Sequence, residues 1–268
     1  MKALSRGKAA GRNVVDGAAQ AMGGGQGARG GSRAMAAPDR VASAKGSPQY
    51  RRAHRDRGAE TRQRLIEAAL DVFGRYGFEG ATTRQIAKEA KANLAAIVYH
   101  FGSKEALHLA VAEYIVGRIA VLIGPSLAAA GAAEALATPA TARAALFRLL
   151  EAYADVMLGQ AEAERWARFI VREQMQPTAA FDVIYRSLGG AHGIGARLVG
   201  AVTGRSPDDE AVGLSVLTMM GQILVFRVAR ELALRRMGWR TVGEKERAAI
   251  KRVVVAQVNA ILDHAVLP

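Results

Sequence analysis

Residues 82–104 read TTRQIAKEAKANLAAIVYHFGSK and concentrate side chains suited to contact with double-stranded DNA. Thr83, Arg84, Tyr99, His100 and Lys104 offer hydroxyl, guanidinium, phenol, imidazole and ammonium groups that can donate to phosphate oxygens. Asn93, Leu94, Ala95 and Ala96 open a short helix whose small side chains let the backbone approach a base edge closely. The free N–H groups and partial positive charge of helix N-termini add to the attraction for phosphate.

That chemistry requires two short helices joined by a tight turn. Thr82 precedes the first helix, and Gln85 stands three residues on, the spacing of a capping box. Ile86, Ala87 and Ala90 form its buried face, Lys91-Ala92 makes the turn, and Asn93 is the N-cap of the second helix. Ser103 caps a longer helix, expected to end at Gly124-Pro125. Upstream, Leu65, Ile66, Ala69, Leu70 and Phe73 recur as one helical stripe closed by Arg75-Tyr76-Gly77, and Phe101 reads as core. After an Ala-rich segment at 126–139, helices are predicted over 141–158, 162–175, 178–201, 208–237 and 244–266, with Pro139, Pro177 and Pro207 at junctions. Val253-Val254-Val255 reads as a buried helix face, and the glycines of GGAHGIG (189–195) as a kink or close helix packing. The expected fold class is all-α.

The net charge of +13 is unevenly spread. Residues 1–57 hold twelve Lys or Arg against three Asp, whereas residues 58–268 hold twenty-five against twenty-one acidic residues. Residues 51–104 still carry eleven basic and six acidic side chains, an excess of the kind phosphate contacts need. Residues 1–50, rich in Gly, Ala, Ser and Arg, are expected to be disordered. Two readings of them stand open: a non-functional extension, including a mis-assigned start, or a basic arm that strengthens non-specific DNA binding. The absence of Cys excludes disulfides and thiolate chemistry. His54, His100, His108, His192 and His264 form no metal set, and no catalytic constellation or cofactor motif stands out. No apolar run is read as a membrane span and no secretory signal is seen, so the expectation is a cytoplasmic protein with no membrane partner and no cofactor.

The segment TTRQIAKEAKANLAAIVYHFGSKEAL, with LIEAALDVFGRYGFEGAT before it, resembles the DNA-binding domain of the TetR family of transcriptional regulators over residues 59–117. The marks are the Thr-Thr, the Ile-Ala, the Tyr-His-Phe and the Ser-Lys-Glu-x-Leu. The family pattern has Gly where this chain has Lys91. A Lys with positive φ costs on the order of 1 kcal/mol, so either the turn is strained or its geometry differs, and a phosphate contact by Lys91 is a possible compensation. RFIVREQMQPTAAFDVIY and GQILVFRVARELALRRMGW are similar to segments of the CecR-like branch, over residues 168–264.

The resemblance implies three parts: a leader (1–50), a three-helix helix-turn-helix domain (51–117) and a helical ligand-sensing and dimerisation domain (118–268). It implies a homodimer in which the last two long helices pack against their symmetry mates. Independently, Leu214, Leu217, Met220, Ile223, Leu224 and Val228 make a wide apolar stripe. Trp166, Phe169, Met175, Phe181, Tyr185, Met219, Met220 and Phe226 are candidates to line an effector pocket, each with core packing as the alternative. Arg172 and Glu173, charges on an otherwise apolar helix, need partners, and Arg172 is a further candidate for the effector pocket. The expected function is a homodimeric repressor released from a pseudo-palindromic operator by an unknown small molecule. An effector-independent architectural DNA-binding protein is the alternative, and an all-helical enzyme a remoter one.

Overall fold

The computed structural model describes residues 48–263. The expected disorder of the leader falls almost wholly outside these residues, as does the end of the last helix. Among the described residues there are helices and turns and no strand. Helix α1 (Pro48–Gly80) carries the predicted stripe, with Leu65, Ile66, Ala69, Leu70 and Phe73 all buried, and breaks at Gly77, where φ is 72°. Helices α2 (Thr83–Glu89) and α3 (Leu94–Phe101) follow, then α4 (Lys104–Ala130). Their boundaries are set locally. Thr82 and Gln85 form the reciprocal capping box, Asn93 Oδ1 accepts from Ala95 N at 2.9 Å, and Ser103 Oγ accepts from Ala106 N at 3.1 Å. Each such cap is worth about 1 kcal/mol.

The C-terminal part comprises α5 (Pro139–Ala154), α6 (Ala163–Met175), α7 (Ala179–Thr203), α8 (Glu210–Val228), α9 (Arg230–Met237) and α10 (Glu244–Asp263). Helix α7 packs along both α4 and α5, α6 lies on α1, and α8 contacts α7. Several expectations are corrected. Helix α4 does not end at Gly124-Pro125 but continues to Ala130, with Pro125 inside it. The proline forfeits one backbone rung, yet helical backbone continues past it, with Ile123 and Ala130 buried on either side. The helix predicted over 208–237 is two, α8 and α9, broken at Ala229. The Ala-rich 126–139 segment contains the end of α4 and a single 3-10 turn at Ala133–Leu136, after which a Thr138–Thr141 capping box with Pro139 in the first turn starts α5. A π turn, Asp155–Gly159, ends it. Of the three valines at 253–255 only Val254 is buried; Val253 faces out.

Two helices, α4 and α8, are long and apolar enough by length and composition to cross a membrane, against the expectation of no such run. Helix α4 packs against α1, α5 and α7, and α8 buries Val212, Val216, Met219 and Ile223 inside the bundle.

Of the glycines at 189–195 only Gly195 lies in close packing; Gly189, Gly190 and Gly193 have open space around them, and Gly200, further along α7, is also closely approached. A Cβ on Gly195 would lie 3.0 Å from Val216 Cγ1, and one on Gly200 would lie 2.7 Å from the Arg205 carbonyl oxygen, where the chain folds back after α7. Gly200→Ala is therefore expected to destabilise the fold by about 1–3 kcal/mol, whereas Gly189→Ala should be neutral or stabilising by up to about 1 kcal/mol. Urea denaturation of both variants checks this, and equal effects would show that the turn after α7 yields freely.

Candidate nucleic-acid interface

The turn between α2 and α3 is a Schellman motif. Ala92 N donates to Ala87 O at 2.9 Å and Lys91 N to Lys88 O at 3.2 Å, with Lys91 in left-handed backbone at φ 51°. It is the one non-glycine with positive φ among the described residues. The strained alternative of the two drawn from sequence is the one adopted. Ile86, Ala87, Ala90 and Ile97 bury the inner sides of the two helices against α1.

What remains outward is one face. Asn93, Leu94 and Ala95 are exposed at the start of α3, Tyr99 is 78% exposed one turn on, and Arg84 is exposed in the first turn of α2. Ala96 and Thr83 are half-buried at its margin. His100 turns away, its ring lying beside Gly58 of α1 and edge-on to Tyr99 at 4.9 Å. Lys104 is held back too: its Nζ sits 4.4 Å over the Phe78 ring. Phe101 is packed against the core with Arg62 over its ring. Val98, 66% exposed, was not singled out from sequence although it follows Leu94 by four and so shares its face.

Polar links join α1 and α4, which support this face, to α6 and α7. Arg165 of α6 grips α1 through Nε to Asp71 Oδ1 (2.6 Å), Nη2 to Asp71 Oδ2 (2.8 Å) and Nη2 to the Glu67 carbonyl (2.8 Å). Arg172 Nη2 donates to the Arg75 carbonyl at 2.7 Å, beside the Gly77 break. The third link is buried. Glu173, only 3% exposed, accepts from Thr178 Oγ1 (2.8 Å) and Thr178 N (3.2 Å), and lies 3.3 Å from His108 Nε2 of α4. The Phe73, Phe78 and Phe169 rings enclose His108. Burial, with a smaller contribution from the Lys104 charge, pushes His108 down to about 4. At neutral pH the ring is uncharged, with its Nε2 beside the Glu173 carboxyl.

The predicted effector residues are not brought together. Trp166 and Phe169 are buried core, while Met175 (78% exposed) and Tyr185 (66%) face outward. Arg172 and Met175 border an open cleft, Phe226 borders another cavity, and Met220 lines a third. That third cavity, about 50 Å³, is enclosed by α4, α5, α7 and α8 and lined by Leu127, Leu150, Tyr153, Val216, Met219 and Met220. Tyr153 was missed because nothing in its local sequence sets it apart. Burial pushes its phenol up to about 12. Among the described residues no cluster of His, Asp or Glu suits a metal.

Comparison with known proteins follows this geometry. Residues 65–111 match the family of bacterial regulatory proteins of the TetR type, and residues 142–264 match the C-terminal domain of the HTH-type transcriptional dual regulator CecR. CecR of Shigella flexneri is 37% identical over 210 residues, spanning 77% of this chain and 93% of its own. The repressor NicS of Pseudomonas putida is 46% identical over 55 residues, which covers 20% of this chain and 26% of its own. A TetR-like regulator from Rhodococcus superposes with a TM-score of 0.54 at 22% identity, over 76% of this chain and 96% of its own. AibR, solved in complex with isovaleryl coenzyme A and operator DNA, does so with 0.55 at 12% identity, over 74% and 97%. At these identities the structures show a shared fold.

The His108 environment gives a pH dependence. Its folded pKa of about 4 lies below the ordinary 6.5, so the unfolded chain takes the proton first as pH falls. The stabilisation is complete above 6.5 and is lost progressively between 6.5 and about 4. In urea denaturation at pH 7.5 and 5, wild-type protein is expected to lose more stability than His108→Gln. Identical losses would show that the ring is not held neutral.

Proposed function

The chain belongs to the TetR family of bacterial regulatory proteins and is a DNA-binding transcriptional regulator of the CecR kind, and on that footing we propose how its residues do the work. The outward face of α3 is the reading head. Its capped N-terminus, Asn93 to Ala96, enters the major groove, with Val98 at the base edges. Tyr99 and Arg84 take the flanking phosphates, with Thr83 beside them and Lys91 reaching from the turn. His100 and Lys104 act from behind this face, holding α3 and the start of α4 against α1. The observation that carries this reading is that Arg84, Asn93, Leu94, Ala95 and Tyr99 are all exposed while Ile86, Ala87, Ala90 and Ile97 of the same two-helix unit are buried.

The working form is a homodimer. Leu214, Leu217, Gly221 and Val225 recur at helical spacing on the outer side of α8, the three larger ones about half exposed, and the segment 211–226 carries no charge. Val253 of α10 is likewise exposed. Two copies joined on this face present two reading heads, about 34 Å apart, to a pseudo-palindrome. The effector is a small molecule that enters the bundle at the apolar cavity around Tyr153 and Met220. At about 50 Å³ that cavity is smaller than a typical ligand site, so an effector binds by favouring a widened arrangement of α4, α5, α7 and α8, which changes the spacing of the heads. The protein is read as a cytoplasmic repressor released by its effector. The sign at any one promoter depends on where the operator lies, in keeping with a relative named a dual regulator.

Tyr99→Ala and Arg84→Ala should each weaken binding to the DNA upstream of the protein's own gene about tenfold in gel-shift titrations, with the dimer intact by light scattering. The Arg84 variant should also reduce the salt slope of log K by about one. Wild-type affinity in both variants would displace the reading head from this face. Leu217→Glu is expected to give monomers that lose the palindromic site; a stable dimer of that variant would rule out the α8 interface. Lys91→Gly should gain about 0.5–1 kcal/mol of stability by relieving the left-handed backbone while losing DNA affinity, and unchanged affinity would remove Lys91 from the contacts.

A further inference from the structure

We propose that the cleft between α6 and the α8–α9 break is a second ligand site, separate from the apolar cavity, for an amphipathic organic anion: a phosphate or carboxylate head on a hydrocarbon body. The break itself is the first indication. Ala229, at φ −99° and ψ 35°, interrupts VFRVARELALRR, a run of helix-compatible residues with no Gly or Pro. Local propensity is overruled there by the surroundings, as happens where a site is being shaped.

Two adjoining cavities open at the break, about 810 and 300 Å³, and they share Glu164, Arg227 and Arg230. The larger is bordered by five arginines, Arg75, Arg168, Arg172, Arg227 and Arg230, against two carboxylates, Glu164 and Glu231. Both carboxylates are already engaged, Glu164 by Arg168 at 3.2 Å and Glu231 by Arg230 at 3.5 Å, and Arg75 pairs with Glu89 outside the cleft. That leaves Arg172 and Arg227 with backbone partners: Arg172 Nη2 on the Arg75 carbonyl, and Arg227 Nε on the Met157 carbonyl at 2.6 Å. Neither has an ion pair among the described residues. Burial pushes the Arg227 guanidinium down from its ordinary value; Glu164 opposes this and Arg230 adds to it. A half-buried cation facing a like charge is stabilised by a bidentate anion. The hydrocarbon has a place beside it, since Val171, Met175 and Leu232 border the same cleft, the latter two largely exposed.

Occupancy has a consequence for α1. An anion that draws Arg172 into the cleft competes with the Arg75 carbonyl and loosens one of the links between α6 and α1, which supports the reading head. This consequence rests on the DNA-binding reading; the binding itself does not.

The test is calorimetric titration of the full-length protein, without DNA, using octyl phosphate, octanoate and octanol. One saturable site per chain is expected for an anion, with octanol at least tenfold weaker, and comparison of the two anions assigns the head group. Arg227→Gln and Arg230→Gln should each weaken the preferred anion at least tenfold. Should Arg227→Gln fail to fold for want of its Met157 contact, Arg230→Gln and Arg168→Gln, whose partners are neighbouring carboxylates, carry the comparison. The proposal is overturned if octanol binds as tightly as the anions, or if no saturable binding occurs. It is equally overturned if filling the apolar cavity with Val216→Phe abolishes anion binding while the arginine variants retain it. Because no operator is present, failure here leaves the DNA-binding reading standing, and failure of DNA binding leaves this result readable.

Discussion

A carboxylate that is almost wholly out of water dictates the arrangement of this molecule. Glu173 can be buried only if every lone pair facing inward finds a donor, because an unmet one costs several kcal/mol. The groups around it come from two other helices: Thr178, at the start of α7, and His108, on α4. The residue that satisfies Glu173 also caps α7, since Thr178 Oγ1 accepts from Ala180 N at 3.1 Å. One side chain thus fixes where α6 ends, where α7 begins and how both meet α4. The Phe73, Phe78 and Phe169 rings exclude water from the contact, which brings α1 into the same constraint.

Around this point the structure divides by the kind of force that holds it. The α2–α3 unit is a set of local agreements: caps at Thr82, Asn93 and Ser103, a Schellman turn, and a few buried aliphatics. The bundle is held by long-range burial, with α7 laid along α4 and α5. Arg165 and Arg172 cross from α6 to α1. A guanidinium suits that role because its planar fork grips a carboxylate and a carbonyl at once.

This division also marks what could be read from sequence. The caps, the buried stripe of α1 and the small residues of α3 are consequences of residues within a few positions of each other, and they were legible; for Lys91 the sequence left two turn geometries open, and the left-handed one is adopted. The need of Arg172 and Glu173 for partners was legible too; Thr178 lies only five positions from Glu173, but Arg75 and His108 lie 65 or more positions away and could not be read locally. Pro125 reads locally as a stop, yet burial on either side of it outweighs one lost hydrogen bond. Ala229 reads as helix, yet the chain breaks there. The predicted effector residues failed to converge for the same reason: an aromatic or Met on an apolar stripe has the same local signature in a core, on a surface or in a cavity. Tyr153 and Arg227 gain their distinction only from neighbours remote in sequence.

The unbroken passage of α4 through Pro125 has a mechanical meaning. Its 27 residues make a rod about 40 Å long, with Ser103 and Lys104 at one end and Ile123 and Leu127, which border the apolar cavity, towards the other. A tilt of only about 5° about one end sweeps the far end through about 3.5 Å over that length. A hinge at the proline would absorb such a tilt. Helical backbone runs continuously from Lys104 to Ala130, so α4 joins the residues that border the cavity to the cap that follows α3.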